Sequence, residues 1–253
     1  MDSESGPQSA LPLSAGAAAR GAALPRRERT RLATTDEIKA AAHDLLAPSP
    51  DGGDLSLRAV ARQVGMTPSA IYRYFESRED LLEALARDAF DSVSATLAAA
   101  VEADTSAGSV DRAVAVAHAY RRWCLEHPAD FGLIFRTDRP DTRASEAWRA
   151  HLLEFYRVPF EVLLRDMAAG EVAITPGAAT PAVRADVLEA ARLVAQDAEV
   201  MPEMVSLLVS LWASVHGFVC LELFGHVGLL MEDADAAFDQ HVRAALVAVR
   251  RTG

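Results

Sequence analysis

The sequence predicts an all-α fold, and three observations carry that expectation. Apolar residues make up 51% of the 253 positions, yet few windows alternate with the period of two that a half-buried strand needs. Ala, Leu, Arg and Glu dominate, and these are residues that helices tolerate best. Ser, Thr and Gly recur at the borders of apolar stripes spaced three and four apart, where helix caps belong. A chain of this length can bury one large core or two small ones.

The opening stretch MDSESGPQSALPLSAGAAA has early acids and no apolar core segment, so it reads as a disordered leader rather than a signal peptide. Cys124 and Cys220 stand far apart without metal-type spacing and read as reduced thiols of a cytoplasmic protein. The net charge is −11, but residues 20–75 carry more bases than acids. A basic head on an acidic body suits a protein that meets a polyanion with one end.

PRRERTR follows the leader and reads either as an arm reaching a minor groove or as a plain basic tail. A first helix is expected from about Thr35, its cap, to Ala47, with Ile38, Ala42, Leu45 and Leu46 inward. PSPDGGD is a loop. Ser56 caps a second helix whose inner stripe is Leu57, Val60, Ala61 and Val64, with Arg58 and Arg62 opposite. Gly65 breaks the chain where a left-handed residue costs least.

Thr67 caps a third, short helix that has Pro68 at its first position. Ile71 and Phe75 lie four apart and face inward, which turns Ser69, Tyr72 and Arg73 outward. Ser77 caps a fourth, long helix. Two short helices joined by a Gly turn, the second showing polar and aromatic groups, form a helix-turn-helix pattern.

LSLRAVARQVGMTPSAIYRYFESREDLLEAL resembles the N-terminal DNA-binding domain of TetR-family transcriptional regulators over about residues 34–85. The family usually has Lys where Arg78 stands and often His where Tyr74 stands, and both changes keep a hydrogen-bonding group. The resemblance implies contacts to duplex DNA from Thr67, Ser69, Tyr72 and Tyr74, with phosphate contacts from Ser56 and Arg78. From the residues themselves, Arg73 can reach a phosphate or a guanine, and Pro68 can touch a thymine methyl.

Beyond Ala103, SVDRAVAVAHAYRRWCLEHPADFGLIF predicts a helix ending before Pro128 and then a short one. Another helix is expected over about Asp141 to Ala169, kinked at Pro159, and GEVAITPGAATP is a loop. Met204 to Leu221 runs 18 residues without an acid or base, long enough to consider for a membrane span. Glu203 and Glu222 close on both sides and no basic residue flanks it, which favours the buried helix of a soluble bundle. LWASVHGFVCLELFGHVG also resembles the Trp…His-Gly…Leu-Glu pattern of one TetR-type C-terminal domain. A last amphipathic helix, about Asp233 to Arg250, ends the chain.

No G-x-S-x-G, phosphate loop or H-E-x-x-H occurs, so neither an enzyme nor a cofactor or metal site is expected. The expected organisation is a leader with a basic arm (1–29), a three-helix DNA-binding head (30–82) and a helical ligand-binding and dimerising bundle (83–253). The expected partners are an operator duplex, a second copy packed through 203–225 and 233–250, and a small apolar or aromatic effector, with no membrane. The bundle's candidate effector contacts are His118, Trp123, Phe131, Phe135, Trp148, His151, Phe155, Tyr156, Phe160, Trp212 and His216, although aromatics at helical spacing are commonly core. These features describe a repressor released by its effector. The alternatives are a ligand-independent dimeric regulator, an activator, or an all-α enzyme with an accidental helix-turn-helix.

Overall fold

The computed structural model describes residues 25–46, 55–103, 108–135, 146–172, 182–195 and 199–251. Among them eleven α-helices occur and no strand. The chain divides into two compact units, Met1–Leu45 with Leu55–Arg78 and Leu46–Asp54 with Glu79–Gly253. Most of the expected leader, the PSPDGGD loop and the start of the helix expected at Asp141 lie outside the described residues.

The first unit is built on α1 (Arg26–Leu46), α2 (Leu57–Gln63) and α3 (Pro68–Ile71). Helix α1 begins nine residues before the expected Thr35, so the arginines of PRRERTR stand on a helix. The Pro25 carbonyl accepts from the amides of Glu28 and Arg29 at 2.9 and 3.0 Å, which closes the first turn with Pro25 just ahead of the helix. The Thr35 hydroxyl donates to the Arg31 carbonyl at 2.9 Å, and Thr30 and Thr34 do the same four residues back. That back-bonding satisfies a hydroxyl inside a helix, so Thr35 sits in the ladder and is not a cap.

Ser56 caps α2 as expected: its Oγ accepts from the Ala59 amide at 3.2 Å. Leu57, Val60 and Ala61 are buried, and Gly65 turns the chain with φ of +68°. Gln63 Nε2 donates to Asp44 Oδ2 at 3.3 Å and ties α2 to α1. Thr67 occupies the cap position of α3 but makes no capping bond; its hydroxyl pairs with that of Ser69 at 3.2 Å. Ordered helix ends at Ile71, and the Tyr74 and Phe75 amides donate to the Ile71 carbonyl, so the turn continues one step further. Ile71 is fully buried and Phe75 nearly so.

The second unit holds α4 (Arg78–Ala103, from Glu79 on), α5 (Ser109–Glu126), α6 (Pro128–Phe135) and α7 (Glu146–Ala168). It continues with α8 (Ala185–Ala195), α9 (Pro202–Leu223), α10 (His226–Leu230) and α11 (Ala234–Arg251). Helix α5 is the hub and packs against α6, α7, α9 and α11. Its stripe of Val116, Ala117, Tyr120, Trp123 and Cys124 is buried. Both cysteines are free thiols.

Two features differ from expectation. Helix α8 was not anticipated, although Leu188, Ala191 and Val194 sit at helical spacing and cover the cluster of Phe160, Leu163 and Met204. Helix α9 was expected to be buried, yet only Met204 and Val219 are fully enclosed and Val209 and Leu221 are more than half exposed. One side of α9 packs on α5, α7 and α11, while Val209, Ser210, Ala213 and Leu221 are exposed among the described residues. It is the one described helix long and apolar enough to cross a membrane.

Nothing stands within 4 Å of a Cβ built at Gly65, so only its positive φ resists substitution. Gly65→Ala is therefore expected to lower stability by about 1–2 kcal/mol in urea melts. Ser56→Ala, which removes the cap, is expected to cost about 0.5–2 kcal/mol in the same measurement.

Candidate nucleic-acid interface and effector cavity

Pro68 fixes the first turn of α3, and burial of Ile71 and Phe75 sets which way that turn faces. Thr67, Pro68, Ser69, Tyr72 and Arg73 are left exposed, with Tyr74 half-buried beside them. Tyr72 is 51% exposed, and an aromatic ring so exposed on a small domain gains little from the core. The surface thus offers three hydroxyls, a guanidinium and an apolar ring edge within two turns. Those groups can bond phosphates and base edges and touch thymine methyls.

The two expected phosphate contacts are partly used by the fold. Arg78 Nε donates to the Leu55 carbonyl at 2.7 Å, which fastens the start of α4 to the segment leading into α2. Ser56 Oγ accepts the Ala59 amide and keeps its own proton to donate. Arg58 and Arg62 are exposed on the outer face of α2.

In the second unit an apolar cavity of about 130 Å³ is walled by α4, α5, α7, α9 and α11. Apolar cavities of roughly this volume take a benzene-sized molecule. Of the expected contacts, Tyr156 and Trp212 reach its wall, joined by Tyr120, Pro159 and Leu211. Pro159 lacks the amide that would close the helical bond to the Phe155 carbonyl, so α7 is locally weakened at the cavity.

The other candidates lie outside that wall. Phe135, Phe155 and His216 form the aromatic layer behind it, with Trp212 centroids 4.9 Å from Phe155 and 5.0 Å from His216. Phe131 stacks on His216, and Phe160 belongs to the cluster under α8. Trp148 and His151 pack on Phe90, Trp123 Nε1 donates to Ser92 Oγ at 3.0 Å, and His118 meets Asp239 at 3.3 Å. Periodicity showed that these rings face inward but could not show which of them border empty space.

Tyr120 Oη and His216 Nδ1 are 2.8 Å apart. Burial pushes the Tyr120 phenol well above its usual range and the His216 imidazole below its own, so both are neutral near pH 7. Burial likewise pushes Tyr156 up to about 12.

Sequence reading missed Arg121, which is buried where α5 meets α9 and α11. Its Nε and Nη2 donate to both Glu222 oxygens at 2.6 Å, and Nη1 donates to Asp235 at 2.5 Å. Its guanidinium also lies 5.2 Å from the Phe238 ring centroid. The bidentate bond to Glu222 holds the Arg121 charge, and Arg121 in turn draws the Asp235 carboxyl below its usual range. The signal was an Arg on the inner stripe, between Ala117 and Cys124. This clamp also explains the Glu of the Trp…His-Gly…Leu-Glu pattern, since Glu222 locks α9 to α5.

The family model for the Tetracyclin repressor-like C-terminal domain matches residues 113–245, and the model for bacterial regulatory proteins of the tetR family matches 52–85. The HTH-type transcriptional regulator Rv1816 of Mycobacterium tuberculosis is 32% identical over 198 residues, spanning 77% of this chain and 83% of that protein. The chain belongs to the TetR family. Its relatives are transcriptional regulators rather than enzymes. A crystal structure of the regulatory protein SCO4313 superimposes with a TM-score of 0.66 at 29% identity, covering 88% of this chain and all of that one. The RolR–resorcinol complex shares the fold at a TM-score of 0.51 and 16% identity, covering 88% of this chain and 94% of that one.

With Glu222 bonded to Arg121 through both carboxylate oxygens, the protein should be sensitive to its loss. Glu222→Ala leaves two donors of the buried guanidinium unsatisfied, with Asp235 still bonded to Nη1, and is expected to cost about 1–3 kcal/mol by urea denaturation. Asp235→Ala, whose side chain is 82% exposed, is expected to leave the midpoint nearly unchanged.

Because the imidazole of His216 is depressed in the folded state, the unfolded chain binds its proton first as pH falls below about 6.5. Stability should therefore fall between pH 7 and 5.5. The melting temperature of His216→Gln should change less over that window, while carboxylates act only at lower pH.

Proposed function

We propose that this TetR-family protein is a homodimeric repressor that binds a palindromic operator through α3 and is released by a small single-ring apolar effector. The observation that carries the DNA reading is the exposed Thr67–Tyr74 surface held by buried Ile71 and Phe75. The effector reading rests on the 130 Å³ cavity lined by Tyr156 and Trp212. RolR, which shares the fold, is seen with the monocyclic diol resorcinol, and a ring of that size suits this volume.

The dimer reading rests on Val209 and Leu221 of α9 and on Phe224, Leu229, Leu230 and Met231, all at least half exposed. Two copies related by a two-fold axis present two recognition helices about 34–36 Å apart, one turn of duplex. Helix α4 carries Leu97 of the cavity wall and runs unbroken from Arg78. An effector that repositions α4 by a coupling of about 1–3 kcal/mol changes operator affinity by roughly 5- to 150-fold. Such a protein works in the cytoplasm, with DNA and effector as its partners and no cofactor.

Selection of bound duplexes from a random pool tests the DNA reading. An enriched palindrome is expected, and Tyr72→Ala with Arg73→Ala should abolish the enrichment. A flat pool for the unaltered protein would exclude it. Filling the cavity with Leu211→Trp should then leave operator binding intact while removing release by any single-ring compound found active in a screen.

A further inference from the structure

The helical start of α1 creates a feature that the family assignment does not account for. Arg26, Arg27, Thr30 and Arg31 line one side of an open groove of about 670 Å³, and Arg73 and Tyr74 line the other. The spacing explains the first wall, because residues three and four apart share a helix face. Arg26, Arg27, Arg31 and Arg73 are all exposed. Glu28, the acid of the first turn, is not part of the groove lining. Like charges at positions 27 and 31 oppose the helix that carries them, so they do not serve its stability. Four guanidiniums and the Tyr74 hydroxyl, converging from two elements, form a receptor for a phosphodiester, while the Thr30 hydroxyl is spent on the Arg26 carbonyl. Guanidinium forks match phosphate oxygens bidentately, and the phenol supplies a further donor.

We infer that this groove clamps a backbone phosphate of the operator, at a second contact strip beside the base-reading face of α3. The occupant follows from position: Arg73 and Tyr74 belong at once to the groove and to the end of the recognition turn. A duplex read by Ser69 and Tyr72 therefore brings its sugar–phosphate rail to the groove. The side chains of two elements hold the phosphate, and α1 acts as a rigid rail rather than a flexible arm. The inference rests on the DNA-binding reading and adds to it a sequence-independent site.

Fluorescence anisotropy on the full chain, with the selected operator and with a scrambled duplex, tests it at several salt concentrations. Arg27→Gln with Arg31→Gln should weaken binding to both duplexes by the same factor. With one phosphate clamped by each half of the proposed dimer, the slope of log affinity against log salt should become shallower by about two, close to 0.9 for each lost phosphate contact. Arg27→Lys with Arg31→Lys should retain most of the slope, since each ammonium still neutralises a phosphate. An unchanged melting temperature shows that the Gln variant is folded. Unchanged affinity and slope would overturn the clamp while leaving operator binding in place. A loss confined to duplexes with A·T-rich flanks would overturn it in favour of minor-groove reading. Failure of the unaltered protein to bind any duplex would overturn both this site and the DNA-binding reading.

Discussion

A helix of four residues has almost no stability of its own, because forming the first turn fixes several dihedrals for a single hydrogen bond. The direction in which the exposed Thr67–Tyr74 surface faces therefore depends on burial of Ile71 and Phe75. Each buried side chain contributes about 1.5–3 kcal/mol of transfer free energy, enough to hold a turn that would otherwise fray. Everything on the outer face inherits its direction from that anchoring. Pro68 and Gly65 lower the cost further, one by presetting φ and the other by accepting a left-handed turn. The outer surface of this turn is thus free to be polar and exposed.

The second unit solves a different problem. It keeps an apolar cavity open in a small helical bundle without letting the helices collapse onto it. Aromatic rings behind the wall resist collapse, because Trp212, Phe155, Phe135 and His216 contact one another edge-on and stacked. The Arg121 clamp holds α5, α9 and α11 at a fixed register. A buried ion pair is a poor source of net stability against an apolar replacement, but its geometry is directional. Pro159 then supplies the weak point at which α7 can yield.

Much of this was legible in the sequence because it is local. Caps, the Gly turn and the four-residue spacing of Ile71 and Phe75 are written within a dozen residues, and the structure reproduces Ser56 and Gly65 as read. Where local rules competed, reading failed. Thr35 looked like a cap, but hydroxyl back-bonding and an arginine-rich run let the helix start at Arg26. Helix α8 was overlooked because its short stripe is covered only once α7 and α9 are in place. The cavity was illegible for a related reason. Inward-facing rings and rings bordering a void have the same periodicity, and only the packing of several helices separates Tyr156 and Trp212 from Trp148 or Trp123.

The central claim is that the outer face of the turn around Tyr72 lies in a major groove. Hydroxyl-radical footprinting with guanine-N7 methylation interference on a bound duplex tests it most directly. The account predicts two protected backbone patches about one helical turn apart on one face of the duplex, with interference at major-groove guanines between the flanking phosphates. Uniform backbone protection with no methylation interference would contradict it.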